Sequence, residues 1–436
     1  MDSANWSSPH WSAVTSAPPP SPPCASALDA PAAPRDRLWS RGFSLYFTAR
    51  SVAMLGDSML PVALSAGLLQ HGYGAGDIGY AMASFTACFA GLVVLGGVFA
   101  DRFSARGLMI GADLARVATQ SLAAWLFFSG HVVLWQICVI GAVNGVAGAM
   151  FQPGVASTVP QVARDVQEAN GVVRTAESLM ALAGPALAGV LVAFTSAGGV
   201  FAVHAGTYAV SAVCLLLLRL PGRTAREARD ASARSSFRAD LVEGWREFRA
   251  RTWMWSVIVI WMGFMILVMG PVTPLAAGEI LPEHGPKAYG LVSSALGAGT
   301  ALGGLLAIRV RPARPLRGGA VALFGFALYP AAVGAGLPVP AVAAAVLVAG
   351  TAWAFWSVMW ATSVQTQVPG EILNRIHAYE VAGSVAMLPV GQALAGPAAG
   401  VFGARPVLLA GGAVTLLVCV ALLAVPAVRD LGRKSG

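Results

Sequence analysis

The chain has 436 residues, of which 56% are hydrophobic and only 11% charged, with a mean hydropathy of +0.69. Soluble domains carry roughly 25% charge, so this much apolar surface excludes a water-soluble globule and calls for lipid as solvent. The formal net charge is +8, and its placement along the chain tells more than its size.

Residues 1–37 read as a disordered cytoplasmic tail. Ser, Pro and Ala dominate it, with Pro18-Pro19-Pro20 in the middle, and such a segment buries too little apolar surface to offset its ordering entropy. No basic start precedes an apolar run, so it does not read as a signal peptide. Beyond it, apolar stretches of about 20 residues recur, the length needed to cross a bilayer core of about 30 Å. In chain order they cover 43–69, 78–100, 107–129, 132–151, 171–194 and 200–220, then 253–277, 289–308, 318–335, 339–363, 378–401 and 406–428. The expected fold is an all-α membrane protein of twelve transmembrane helices: a six-helix bundle at 38–220, a linker at 221–251, a second bundle at 252–428 and a cytoplasmic tail at 429–436.

The linker carries nine arginines, counting Arg219 at its edge, and five acids. Within it, residues 240–249 space apolar side chains as a surface-lying amphipathic helix would. Arginine placement sets the orientation. With both termini and every second loop inside, 23 basic residues fall on the cytoplasmic side, two outside (Lys287 and Arg405) and three within helices (Arg50, Arg116 and Arg174). Only Lys287 and Lys434 are lysine, a bias that points to a GC-rich bacterial genome and so to a bacterial inner membrane.

The two halves echo each other. The text Ala-Leu-Ala-Gly-Pro-Ala stands at 181–186 and again at 393–398, an offset of 212; Val159-Pro160 returns as Val368-Pro369, and Gly96-Gly97 as Gly303-Gly304, each ahead of a basic loop in the last case. Three matches in order at nearly constant offset indicate duplication, as in many secondary transporters.

The loop after the second stretch runs from Gly97 through Asp101 and Arg102 to Arg106. It resembles the signature loop of the major facilitator superfamily, with Ser104 where Gly is usual and Ala105 in place of one basic residue. The resemblance implies the major facilitator fold and a conformational gate in which Asp101 engages the helix beginning near Ala378; the plainer reading is a positive-inside turn with a helix cap. In the fifth stretch Gly171, Gly184, Pro185 and Gly189 are similar to the glycine motif of the drug–proton antiporters, while Met180 and Ala188 depart from it. Small residues let helices approach closely and proline bends a helix, so ordinary packing is the alternative. Leu55-Gly56-Asp57, the run from Met109 through Asp113 to Arg116, Phe151-Gln152-Pro153, Ala169-Asn170 and the segment 208–220 resemble the branch of macrolide and siderophore exporters.

Each charge inside lipid costs roughly 2.5–3.5 kcal/mol on insertion scales. Asp57, near the middle of the first helix, is therefore a candidate for loading and releasing a proton, or else a hydrogen-bonded structural carboxylate. Arg174 and Glu177, like Asp113 and Arg116, stand three apart and neutralise each other on one helix face, serving structure or the cytoplasmic gate, with Glu177 a second proton candidate. His204 on the sixth helix is a third proton candidate, or else a hydrogen-bonding packer. Trp253, Trp255, Trp261, Trp353, Trp356 and Trp360 line a site for flat hydrophobic solutes or anchor the protein in lipid. The five cysteines form no metal or disulfide pattern, and no nucleotide loop or nucleophile triad appears, so no cofactor, metal, nucleic acid or enzymatic activity is expected.

The reading is a monomeric secondary transporter that exports an amphiphilic small molecule, such as an antibiotic, drug or siderophore, in exchange for protons. Its rivals are a proton-coupled importer or facilitator on the same fold, and a membrane receptor or scaffold that transports nothing.

Overall fold

A computed structural model describes residues 39–102, 105–163, 166–219, 246, 249–368 and 385–432, leaving the tail and nearly all of the linker outside the described residues. Every regular element among these is a helix. The first half gives α1 (Arg41–Gln70), α2 (Ala75–Arg102), α3 (Ala105–Ser129), α4 (Leu134–Val162), α5 (Val166–Phe194) and α6 (Ala197–Leu217). Serines start two of them: the Ser40 hydroxyl accepts from Phe43 N at 3.1 Å, and Ser196 from Gly199 N at 3.3 Å, each satisfying an amide that the helix leaves free.

The second half opens with α7 (Thr252–Phe264), a π-helical turn at Met265–Met269, and α8 (Gly270–Arg309). Together they form a 58-residue helical run. At 1.5 Å per residue that is about 87 Å, nearly three times a bilayer core of about 30 Å, so the run must turn back. It does so at Gly285, whose φ of 78° belongs to a region that side-chain-bearing residues rarely adopt. The sequence suggested a loop over 278–288, yet helix persists up to this single residue. Glu279 and Glu283, one turn apart, pair with Arg405 at 2.7 and 2.9 Å. The chain continues through α9 (Pro315–Leu323), a 3-10 turn at Phe324–Ala327, α10 (Leu328–Gly334) and α11 (Val339–Gln367). After the undescribed residues 369–384 come a 3-10 turn at Val385–Met387, α12 (Leu388–Phe402), α13 (Ala404–Ala424) and the short α14 (Pro426–Arg429).

Among the described residues, nine helical stretches are long and apolar enough to cross a membrane. The α7–α8 run supplies two crossings, α9 and α10 make up one, α12 is the described part of another, and α3 completes a set consistent with twelve. α3 lacks sufficient apolar character by itself because Arg106, Asp113 and Arg116 lie on it. Its Asp113 and Arg116 are buried, whereas Leu114, Trp125 and Phe128 face outward at 54–62% exposure. Charge thus turns inward and bulky apolar side chains turn to lipid, the arrangement a bilayer requires.

One end of the bundle gathers the basic ends of the helices: Ser40 reaches the Val162 carbonyl, Arg106 the Leu215 and Leu216 carbonyls, and Arg314 pairs with Asp430 at 3.0 Å. There the hydrogen bond from Arg429, with the charges of Arg429, Arg314 and Arg317, holds the Asp430 carboxyl below its usual range. At the opposite end Tyr73 bonds the Val132 carbonyl. The two halves meet toward that opposite end along two seams. α5 packs on α8, where a Cβ on Gly189 would fall 2.5 Å from the Pro286 carbonyl; α12 packs on α2, where a Cβ on Gly396 would fall 2.5 Å from Gly76 Cα. The repeated Ala-Leu-Ala-Gly-Pro-Ala text thus lies on one helix of each seam.

Candidate functional site

A cavity of about 520 Å³ lies against α1, α2, α3, α4 and α6, with Thr273 of α8 and Gln392 of α12 completing its wall. Most of its lining is apolar, and Arg50, Asp57, Arg116 and Tyr208 bring charge and hydrogen bonding to it.

Asp57 is placed by the close approach of α6 to α1. Gly56 makes that approach possible: a Cβ there would collide with His204 Cδ2 and Thr207 Oγ1. With no side chain in the way, the Tyr208 hydroxyl donates to Asp57 Oδ1, and His204 Nε2 lies 3.4 Å from the same oxygen. His204 is 1% exposed, whereas the Asp57 side chain is 38% exposed to the cavity. Neither ring nitrogen of His204 has a hydrogen-bond partner of normal geometry among the described residues.

The network continues through aromatic faces. The Arg116 guanidinium stands 5.0 Å from the centre of the Tyr208 ring and 5.4 Å from that of Phe151, which offers a desolvated cation the negative face of each ring. Arg116 Nη1 is 3.9 Å from Asp113 Oδ1, one turn away on α3, and Ser211 donates to Asp113 Oδ2 at 2.6 Å. A continuous chain therefore runs His204–Asp57–Tyr208–Arg116–Asp113–Ser211, drawn from α1, α3 and α6. With His204 neutral it holds two carboxylates and one guanidinium.

A second cluster sits a little nearer the basic end. Glu177 of α5 accepts from Arg50 Nε at 2.9 Å and from Arg174 Nη1 at 2.9 Å. Arg50 and Glu177 are each 13% exposed and Arg174 is 81% exposed. Arg50, two turns from Asp57 on the same helix, is thus held across the α1–α5 interface.

The other sequence candidates fall in several places. The helical backbone of α2 carries Gly97, Asp101 and Arg102, but their side chains lie outside the described residues, as does the start of the helix expected near Ala378. Arg106 is described, and it satisfies the last carbonyls of α6 at 2.8 and 2.6 Å, groups that a helix end leaves unpaired. In the α5 motif, Gly184 fits against Ser58, whose hydroxyl bonds the Met180 carbonyl at 2.8 Å, and Pro185 presents its carbonyl to Gly290. Gly171 meets open space among the described residues, so close packing does not account for a glycine there.

Sequence reasoning missed Tyr208 and Ser211 as site residues, and Gly56 as the position that brings them in. A signal was present: His204, Tyr208 and Ser211 recur at i, i+4 and i+7 along a largely apolar α6, and Asp113, Arg116 and Gln120 at i, i+3 and i+7 along α3.

The all-helical architecture that holds this cavity agrees with the comparisons. The model of the Major Facilitator Superfamily matches residues 46–388. The chain belongs to this superfamily.

Among curated relatives, the chain is 28% identical over 182 residues to an uncharacterized MFS-type transporter, YfiS, of Bacillus subtilis, covering 41% of this chain and 42% of that one. It is 21% identical to macrolide efflux protein A of Enterococcus faecalis, over 48% of this chain and 65% of the relative. It is 32% identical to the multidrug resistance protein MdtH of Aeromonas salmonicida, over 35% and 37%. The chain spans less than two thirds of the length of each. Solved structures with the same fold include the nucleoside transporter NupG, with a TM-score of 0.67 at 14% identity over 87% of this chain and 98% of that one. Another is a bacterial homologue of the human lysosomal transporter Spinster, with a TM-score of 0.64 at 13% identity over 90% and 98%.

Proposed function

We propose that this major facilitator protein exports an amphiphilic small molecule across a bacterial inner membrane in exchange for protons, with both termini in the cytoplasm. The carrying observation is the charge inventory of the Asp57 network. Two carboxylates face one guanidinium there, and the other cation in the cavity wall, Arg50, is held by Glu177, so one negative charge is left over when His204 is neutral. An uncompensated charge in a low-dielectric site is costly. One proton removes the excess, as does one cationic solute facing Asp57 from the cavity. Two ligands that relieve the same excess compete, and competition at one site is the minimal requirement for exchange.

Alternating access supplies the rest. The two glycine-lined seams close the end opposite the arginines, leaving the proposed inward-facing state. The signature-loop residues Gly97, Asp101, Arg102 and Arg106 act as the gate at the basic end, with Asp113 and Arg116 linking gate and site. The matches to a macrolide efflux protein and to a multidrug resistance protein favour the outward direction. The proposed working unit is a monomer.

The test is a resistance screen in an efflux-deficient bacterial host, followed by transport of the best hit in everted vesicles. Acidifying the vesicle lumen is expected to drive the solute inward against its gradient. Uptake that runs only with an alkaline lumen would instead establish an importer, and no uptake of any hit would leave the receptor reading.

A further inference from the structure

The second half holds a separate cavity of about 420 Å³, walled by α7, the π-helical turn, α11 and Leu388 of α12. None of its lining residues among the described residues is charged. Four tryptophans dominate it. Trp261 lies 5.6 Å from Trp353 and 5.2 Å from Trp356, with ring planes inclined by 23° and 22°; Trp356 lies 6.5 Å from Trp360 at 15°. Neighbouring rings along this chain are therefore close to parallel. Phe264 and Phe326 pack behind Trp261 and Trp353 at 5.1–6.4 Å, and Trp356 is only 2% exposed, so the wall is fixed before any ligand arrives.

Lipid anchoring does not explain this arrangement. Trp255, on the same helix, is 39% exposed and fits that role, whereas Trp253, Trp261 and Trp356 are buried. With Trp261 and Trp356 buried behind them, the partly exposed Trp353 and Trp360 face a cavity whose described lining is uncharged. Such faces are suited to stacking a flat ring, because offset-stacked aromatic pairs gain about 0.5–1.5 kcal/mol beyond area burial. The cavity also adjoins the charged one. Met269 and Leu388 line the tryptophan cavity, and Thr273 and Gln392, each one helical turn further on, line the cavity of Asp57.

We propose that this wall is a stacking site for the planar aromatic ring system of the transported solute, whose polar end reaches the Asp57 cavity one turn away. This rests on the reading of the chain as a solute transporter and names the class of solute. The same solute bridges the two halves, since the stacking wall belongs to the second and Asp57 to the first.

The experiment is equilibrium binding to the full chain in lipid nanodiscs, without any ion gradient. It uses two probes of equal charge and different shape: acridine orange, which is planar, and tetraphenylphosphonium, which is not. Acridine orange is expected to quench tryptophan fluorescence saturably. Trp353→Leu and Trp360→Leu are each expected to weaken its binding about tenfold, and Trp353→Phe by less, with little change for tetraphenylphosphonium. Unchanged acridine orange affinity in both leucine variants would overturn the proposal and leave a lipid chain as the occupant; equal losses for both probes would overturn it in favour of unselective greasy binding. Asp57→Asn separates this from the transport reading, because it is expected to stop proton-driven flux and to weaken both cationic probes alike, whereas the tryptophan variants weaken acridine orange alone.

Discussion

Tyr208 of α6 donates its hydroxyl hydrogen bond to Asp57 of α1, and the same tyrosine ring carries the Arg116 guanidinium 5.0 Å from its centre. One side chain thus touches both the carboxylate that faces the cavity and the cation that balances it. This makes a graded prediction possible. Asp57→Asn removes the group that takes up the proton and is expected to abolish proton-driven flux with normal membrane insertion. Tyr208→Phe keeps the carboxylate and the aromatic face and removes only the hydrogen bond, worth about 1.5–3 kcal/mol to a charged acceptor. It is expected to slow flux about tenfold without abolishing it. Flux in everted vesicles checks both, and an Asp57→Asn protein that transports at full rate removes Asp57 from the coupling role.

The position of Gly56 leads to a second prediction. Any Cβ there meets His204 and Thr207, and overpacking a tight interface typically costs about 1–3 kcal/mol. Gly56→Ala is expected to lower thermal stability in detergent and to reduce flux together, because α6 is pushed away and carries His204 and Tyr208 with it. Gly206, on the same helix, meets nothing within 4 Å, and Gly206→Ala is the matched control that should leave both properties unchanged.

Glu177 offers two ion pairs whose strengths should differ although their lengths match. Its partner Arg50 is 13% exposed and Arg174 is 81% exposed, at 2.8 and 2.9 Å. Exposed pairs are worth about 0–1 kcal/mol after solvent screening, while a partly buried pair retains more of its Coulomb energy. Double-mutant cycles on unfolding are expected to give an Arg50–Glu177 coupling at least about twice that of Arg174–Glu177. Equal couplings would mean that burial does not govern this cluster. The sequence had paired Glu177 with Arg174, three residues away, since local spacing is all that a helix pattern reveals; the cross-helix partner Arg50 is 127 residues distant.

That example marks the limit of what the residues disclosed. Lipid immersion, the helical stretches and the repeat were readable because a bilayer imposes length and polarity on each segment separately. The charges gathered at the candidate site were readable for the same reason: Asp57, Asp113 and Arg116 stand out in apolar text. Their partners were not, because Tyr208 and Ser211 look like ordinary membrane residues until α6 is docked on α1 and α3. Gly285 was hidden differently. Its surroundings, with Pro282, Glu283 and His284, read as loop, whereas helix continues to within a residue of the turn because Arg405 supplies partners for Glu279 and Glu283.

Orientation rests on arginine counting alone and can be checked directly. Arg311→Cys, at the basic end, is expected to react with a membrane-impermeant maleimide only in everted vesicles, and Leu337→Cys, in the turn ahead of α11, only in intact cells. Both sites are exposed, so failure to react cannot be put down to burial. The reverse pattern would turn the protein over and make the proposed exporter an importer.

The seam between α2 and α12 supplies the last prediction. Gly76 and Gly396 meet backbone to backbone, with a Cβ on Gly396 falling 2.5 Å from Gly76 Cα. Backbone cannot yield as a flexible side chain can, so Gly396→Leu admits no closed seam. In a rigid-body mechanism the lost contact penalises only the state in which this end is shut. A penalty of about 2 kcal/mol, within the usual range for overpacking, shifts that population about thirtyfold. The variant is therefore expected to stay folded, to lose turnover, and to expose the far side of the cavity. A cysteine at Leu64, which lines the cavity, should then react from outside the cell faster than in the Gly396 parent. Unchanged labelling together with unchanged flux would show that closure of this seam is not part of transport, and the alternating-access reading of the two glycine seams would have to be abandoned.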